Sequence, residues 1–136
     1  MEVTHVTHNL RIAPRKLRLV VDKIRHLQAS QALEVLPLVV NKGAALTYKS
    51  LASAMQVAQD RNLSKESLVI QRVWCDEGRV LKRAVSRSKG RTLPIMKRSS
   101  HLTIVLKGDE ATRTRRTRTA TKAVAESPIE QETAQE

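Results

Sequence analysis

Residues 3–10 (VTHVTHNL) are rich in β-branched side chains and predict a short strand. A helix should follow at once. Pro14 suits a first helical turn, where its missing amide hydrogen costs no bond, and Leu17, Val20, Val21 and Ile24 then recur at helical spacing. Arg15, Arg18, Asp22 and Arg25 form a second, mostly basic stripe of that helix, so one face should pack while the other meets solvent or phosphate. Ser30 is placed to cap a short helix through Ala32, Leu33 and Leu36, which Pro37 stops or bends. Asn41 is placed to cap the next, where Ala44, Tyr48, Leu51, Met55 and Ala58 recur at helical spacing over 42–60. Residues 67–75 (SLVIQRVWC) and 101–107 (HLTIVLK) read as strands, with Leu102, Ile104 and Leu106 alternating with more polar positions. The expected class is α+β: three helices packed on a small, mainly antiparallel three-stranded sheet.

The two later strands are joined by DEGRVLKRAVSRSKGRTLPIMKRSS at 76–100, which has the turn chemistry of a β-hairpin and no core face. It carries Arg79, Lys82, Arg83, Arg87, Lys89, Arg91, Lys97 and Arg98, with no acid between Arg79 and Arg98. Gly90 in the tip Ser88-Lys89-Gly90-Arg91 takes positive φ at little cost, as hairpin loops require. An isolated two-stranded ribbon of like charge is marginal in water, so the arm should be ordered mainly when bound. At about 3.3 Å per residue it reaches on the order of 30 Å, which suits insertion into a polyanion and release of its counterions.

Charge points the same way. Lys and Arg total 25 against 13 Asp and Glu, a formal net charge of +12, which favours a polyanionic partner. Tyr48 and Trp74 are the only aromatic residues besides histidine, too few for a fold that stacks single-stranded bases, so binding by shape and electrostatics to structured nucleic acid is expected. No signal-peptide pattern opens the chain and no apolar run spans a membrane, and the single Cys75 agrees with a reducing compartment; a cytosolic or equivalent location is the expectation. The hairpin 78–100 belongs to one globular domain over 1–107, and 108–136 reads as a tail that is disordered when free. That tail is basic over 111–122, expected to add nonspecific affinity for nucleic acid, and acidic over 123–136, expected to restrain misbinding.

Other chemistries fit less well. Asp76 and Glu77 are adjacent on a strand and point to opposite faces, so a turn or an ion pair with a nearby Arg is expected rather than catalytic metal binding. His5, His8, His101 and Cys75 form no metal-ligand pattern; packing or an RNA contact suits His101 better, and no cofactor is expected. Cys75 beside Trp74 reads as an inward strand residue. A merely solvated basic loop, a DNA-binding protein using the hairpin as a minor-groove arm, and a membrane-surface peptide are the rivals. DNA binders usually dimerise and no dimer face or self-association is evident, while a membrane peptide needs a broad apolar face, so no membrane partner is expected.

The stretches RIAPRKLRLVVDKIR at 11–25, DEG at 76–78, LKR at 81–83, RSKGR at 87–91 and KRSSHLTIVL at 97–106 together resemble the bacterial large-subunit ribosomal protein "L twenty-two" family, over about residues 5–107. The resemblance implies a non-enzymatic ribosomal protein that binds and organises large-subunit rRNA during assembly beside neighbouring ribosomal proteins, in a cytoplasmic or organellar ribosome. It implies a body near the exit of the nascent-peptide tunnel and a hairpin threaded into rRNA. Arg87, Ser88, Lys89, Gly90 and Arg91 then form the tip, facing rRNA and the passing peptide, and Leu81-Lys82-Arg83 matches a segment tied to macrolide response. Arg11, Arg15, Lys16, Arg18 and Arg25 should contact surface phosphates, the arm cations deep ones, with His101 at rRNA as well. The chain departs from the family pattern at Arg79 and Ser86, where Pro is common, at Ala13, where Ser often caps, and at Thr92-Leu93-Pro94, where an Arg is usual and Pro94 predicts a changed bend in the returning strand.

Overall fold

A computed structural model describes residues 1–109. β1 (Glu2–Leu10) leads into α1 (Pro14–Ile24), α2 (Ala29–Val35), α3 (Lys42–Asp60), β2 (Val69–Ser86) and β3 (Thr92–Lys107), with 3-10 turns at Leu36–Leu38, Lys65–Ser67 and Ser88–Gly90. The sheet is antiparallel in the order β1-β3-β2, so the expected α+β arrangement of three helices on three strands is present and the last strand lies in the middle. Ile104 of β3 pairs with His5 on one side and Val73 on the other. Leu102, Ile104 and Leu106 share the face that meets the helices, where α1 lies against β2 and α3 against β1 and β3. Central placement also buries Thr103 and Val105 on the opposite face, which alternation alone assigns to solvent.

The helices follow their apolar stripes. α1 buries Pro14, Leu17, Val20, Val21 and Ile24, with Pro14 in its first turn and Ala13 giving no side-chain cap. It ends in a tight turn in which Leu27 N–H donates to Ile24 O and His26 takes φ 64°, the geometry of a type II turn. α2 starts at Ala29, so Ser30 is inside the helix and not its cap. The reason is tertiary: Gln28 bridges to Val69, and Ala29 N–H donates to Leu68 O, fixing the start before the serine. The α-helix stops before Leu36 and a 3-10 turn carries the chain past Pro37.

Asn41 does precede α3, but its backbone carbonyl accepts from Ala44 N–H and its side chain caps nothing. Tyr48, expected on the packed face, is exposed, and Thr47 is buried in its place. Thr47 Oγ1 donates to Gly43 O at 2.9 Å, which satisfies the hydroxyl and lets a polar residue sit inside. At the far end Asn62 takes φ 61°, its N–H bonds Gln59 O, and Leu63 N–H bonds Ala58 O, the double closure of a Schellman motif with Leu63 buried beneath it. Ser67, expected in the strand, belongs to the preceding 3-10 turn. The expectations for 111–122 and 123–136 lie outside the described residues.

Where β1 stops, the arm starts. The last β1 pair is Leu10 with Ser100, and beyond it β2 and β3 continue alone as a two-stranded ribbon. The chain leaving β1 is held to that point, since Ser100 Oγ donates to Ile12 O at 3.1 Å.

Candidate nucleic-acid interface

The arm pairs without interruption from Val80 with Arg98 to Ser86 with Thr92, including Ala84 with Pro94, so Pro94 causes no register shift. These rows cover about 20 Å at the usual strand rise. Every residue from 81 to 98 is exposed. At the tip, Lys89 (φ 56°, ψ 37°) and Gly90 (φ 66°) both adopt left-handed backbone, and Arg91 N–H approaches Ser88 O at 3.4 Å, the pattern of a type I′ turn. Gly90 was the expected left-handed residue; Lys89 is a second, and its side chain is carried at the outermost point. A Cβ on Gly90 would meet nothing within 4 Å, so only its φ calls for glycine.

The root of the arm is a bulge. Glu77 pairs with Ser100 and Val80 with Arg98, so Gly78 and Arg79 together face Ser99. Ser99 Oγ donates to Arg79 O at 2.7 Å across this point. A Cβ on Gly78 would lie 2.7 Å from Ser99 Oγ and 3.2 Å from both His101 Nε2 and Ser100 N. His101 is pinned beside it: its Nδ1 accepts Asn9 N–H at 3.1 Å, and its ring meets His8 edge to face at 5.2 Å. Gly78→Ala should therefore break the Ser99 to Arg79 bond, cost about 1–3 kcal/mol and turn the arm from its axis. Urea unfolding and rRNA binding check this, and adding Ser99→Ala should recover part of both losses.

Several body cations stand at the same root. Arg18 donates from Nε and Nη2 to Cys75 O at 3.2 and 3.1 Å, which ties α1 to β2 and leaves this arginine partly committed to the fold. Arg11, Arg15 and Lys16 are exposed on the segment around Ile12, Pro14 and Arg18 that contacts Ser100 and Cys75, so they flank the entry to the arm. Arg25 lies at the other end of α1 and pairs with Asp22 at 3.1 Å, so it stands apart from this group. Within the arm, Arg83 bonds Lys82 O and Arg98 bonds Met96 Sδ, both local contacts on exposed side chains. Arg79, Lys82, Arg87, Lys89, Arg91 and Lys97 are exposed along its length.

Asp76 accepts the Trp74 indole N–H at 3.0 Å, not an arginine, because residues two apart on a strand share a face. Cys75 is inward, as expected. Burial pushes its thiol above the ordinary 9.0, against smaller lowering effects of Ser100 and Arg18, while Asp76 adds to the rise. The folded state thus holds the proton longer than the unfolded chain; this stabilisation is present below the unfolded pKa and is lost as pH rises through the folded one. Iodoacetamide should modify Cys75 slowly in native protein near neutral pH and readily in urea, and equal rates would contradict its burial.

Gly78 and Ser99 escaped a reading based on charge. The signal was there as a glycine next to the last acid before a basic ribbon, but the close approach becomes visible only once Ser99 is known to lie opposite.

Residues 5–107 match the family described as Ribosomal protein L22p/L17e. The "Large ribosomal subunit protein uL22" of Desulfosudis oleivorans is 41% identical over 105 residues, covering 77% of this chain and 92% of the relative. Its counterpart of the same name in Desulforamulus reducens is 39% identical over 107 residues, covering 78% and 95%, and that of Macrococcus caseolyticus is 39% identical over 111 residues, covering 81% and 90%.

Proposed function

The chain belongs to the ribosomal protein L22p/L17e family, and from that premise we propose that its body docks on the large ribosomal subunit while its arm enters folded rRNA, with the tip lining the nascent-peptide tunnel. Its role is structural and non-enzymatic, as a component of the large subunit with rRNA and neighbouring ribosomal proteins as partners. The observation that carries the arm's part is a ribbon in which every residue from 81 to 98 is exposed, free of acids and, among the described residues, with no layer packed against it. Such a ribbon adds nothing to the core and is costly to order alone, so its free energy of ordering is offset by phosphate contacts.

In this reading Arg11, Arg15, Lys16 and Arg18 hold phosphates where the arm enters, Arg25 holds one farther along α1, and Arg79 to Arg98 hold those within, with His101 at the root. Phosphate contacts position without reading sequence, so selectivity comes from RNA shape and from body and arm engaging together. Residues 1–107 act as one unit, and the place of action is a ribosome, cytoplasmic or organellar. A tagged copy should sediment with the large subunit on gradients and stay there after a high-salt wash. Release at modest salt would mean surface adhesion by charge alone and would overturn the threaded arm.

A further inference from the structure

The cross-strand register makes the arm two-sided. Leu81 pairs with Lys97, Arg83 with Ile95 and Val85 with Leu93, and cross-strand partners share a face. Leu81, Val85, Leu93 and Ile95 therefore lie on one face, each between 40% and 50% exposed. The opposite face holds Lys82 and Arg98, with Ala84, Pro94, Ser86 and Thr92 toward the tip and Met96 as its one large exposed apolar group. We propose that the face of Leu81, Val85, Leu93 and Ile95 contacts nucleobases of folded RNA, while the Lys82 and Arg98 face contacts mainly phosphate.

The inference rests on the rRNA-binding role proposed above and adds which side of the arm meets which part of the RNA. Charge decides the occupant. Arg83 stands directly across from Ile95, and Lys97 from Leu81, so every apolar group on this face has a cation within one row or two. The centre of a protein interface is depleted of charge, and an arm without a single acid offers a protein partner nothing to pair with its own cations. RNA presents flat apolar base surfaces flanked by phosphates, and aliphatic side chains set between cations match both. An exposed aliphatic ribbon also invites self-pairing, which the same cations oppose.

The test compares two variants of the full chain binding a transcript of the large-subunit rRNA over a range of salt. Leu93→Thr with Ile95→Thr keeps β-forming residues at exposed positions, so the body should unfold at an unchanged urea midpoint. This pair should bind about tenfold or more weakly, with the salt slope unaltered. Lys82→Gln with Arg98→Gln should instead lower the slope by about 1.5. If the threonine variant binds like the parent while the glutamine variant loses slope, the arm holds RNA by phosphate alone; the inference falls and the rRNA-binding role stands. If neither variant differs from the parent, the arm does not touch RNA and both fall. If the threonine variant binds the transcript normally but washes out of assembled subunits, the apolar face docks on a protein, which also overturns the inference.

Discussion

Replacing residues 80–96 by an Asn-Gly turn is expected to leave the body folded and to weaken rRNA binding by about 10²- to 10⁴-fold at about 0.1 M salt. The deletion removes Lys82, Arg83, Arg87, Lys89 and Arg91 and keeps Lys97 and Arg98. Each cation seated on a phosphate contributes about 0.7–0.9 to the slope of log affinity against log salt, so five contribute up to about 4.5. The loss of affinity falls short of that limit because the bound arm must also be ordered, a cost the shortened chain escapes. Stability should hardly change, because none of the removed residues is buried and the pairs from Val69 to Glu77 survive. An unchanged salt slope would contradict a role for the arm in phosphate binding.

The converse change should destabilise the body without touching the arm. Ile104 is fully buried in the central strand, between His5 and Val73 and beneath the helices. Ile104→Ala removes three carbons from that position and should cost about 2–5 kcal/mol, a large share of the roughly 5–15 kcal/mol that holds a small domain together. Urea unfolding of the full chain measures it. A loss under about 1 kcal/mol would mean that the sheet and helices do not share one tightly packed core. Taken with the arm deletion, the pair of results separates folding from binding: one change lowers stability, the other lowers affinity.

Periodicity made most of the body legible. The spacing of Leu17, Val20, Val21 and Ile24 placed α1 and its buried face, and Leu102, Ile104 and Leu106 placed the inner face of β3, because one-sided burial leaves a direct trace in the order of side chains. Failures came where a contact distant in sequence outweighs a local rule. Ser30 is a good cap by type, yet the bridge from Gln28 to Val69 starts α2 ahead of it. Tyr48 lost its place to Thr47 because a hydroxyl bonded to Gly43 O can be buried and a phenol one position along points outward.

At the candidate interface, charge was legible and geometry was not. The cations of the arm can be counted from the chain, but their grouping with Arg11, Arg15 and Lys16 depends on Ser100 bonding Ile12 and Arg18 bonding Cys75. The separation of the arm into a face with four exposed aliphatic side chains and one with few needs the pairing of Val85 with Leu93, which the bulge at Gly78 and Arg79 shifts relative to the body. A bulge advances one strand by a residue and so reassigns which partners stand opposite, a step that composition cannot foretell.

The most direct measurement is cross-linking from the tip. A photoreactive side chain in place of Lys89, carried on the outermost left-handed residue of the turn, would be incorporated into large subunits and irradiated. A threaded arm should give adducts with large-subunit rRNA deep in the particle, persisting after a high-salt wash, and adducts with a nascent chain when the subunits are translating. Adducts confined to solvent-exposed rRNA, or none from position 89 while a probe at Arg15 cross-links efficiently, would show that the body binds and the arm does not enter.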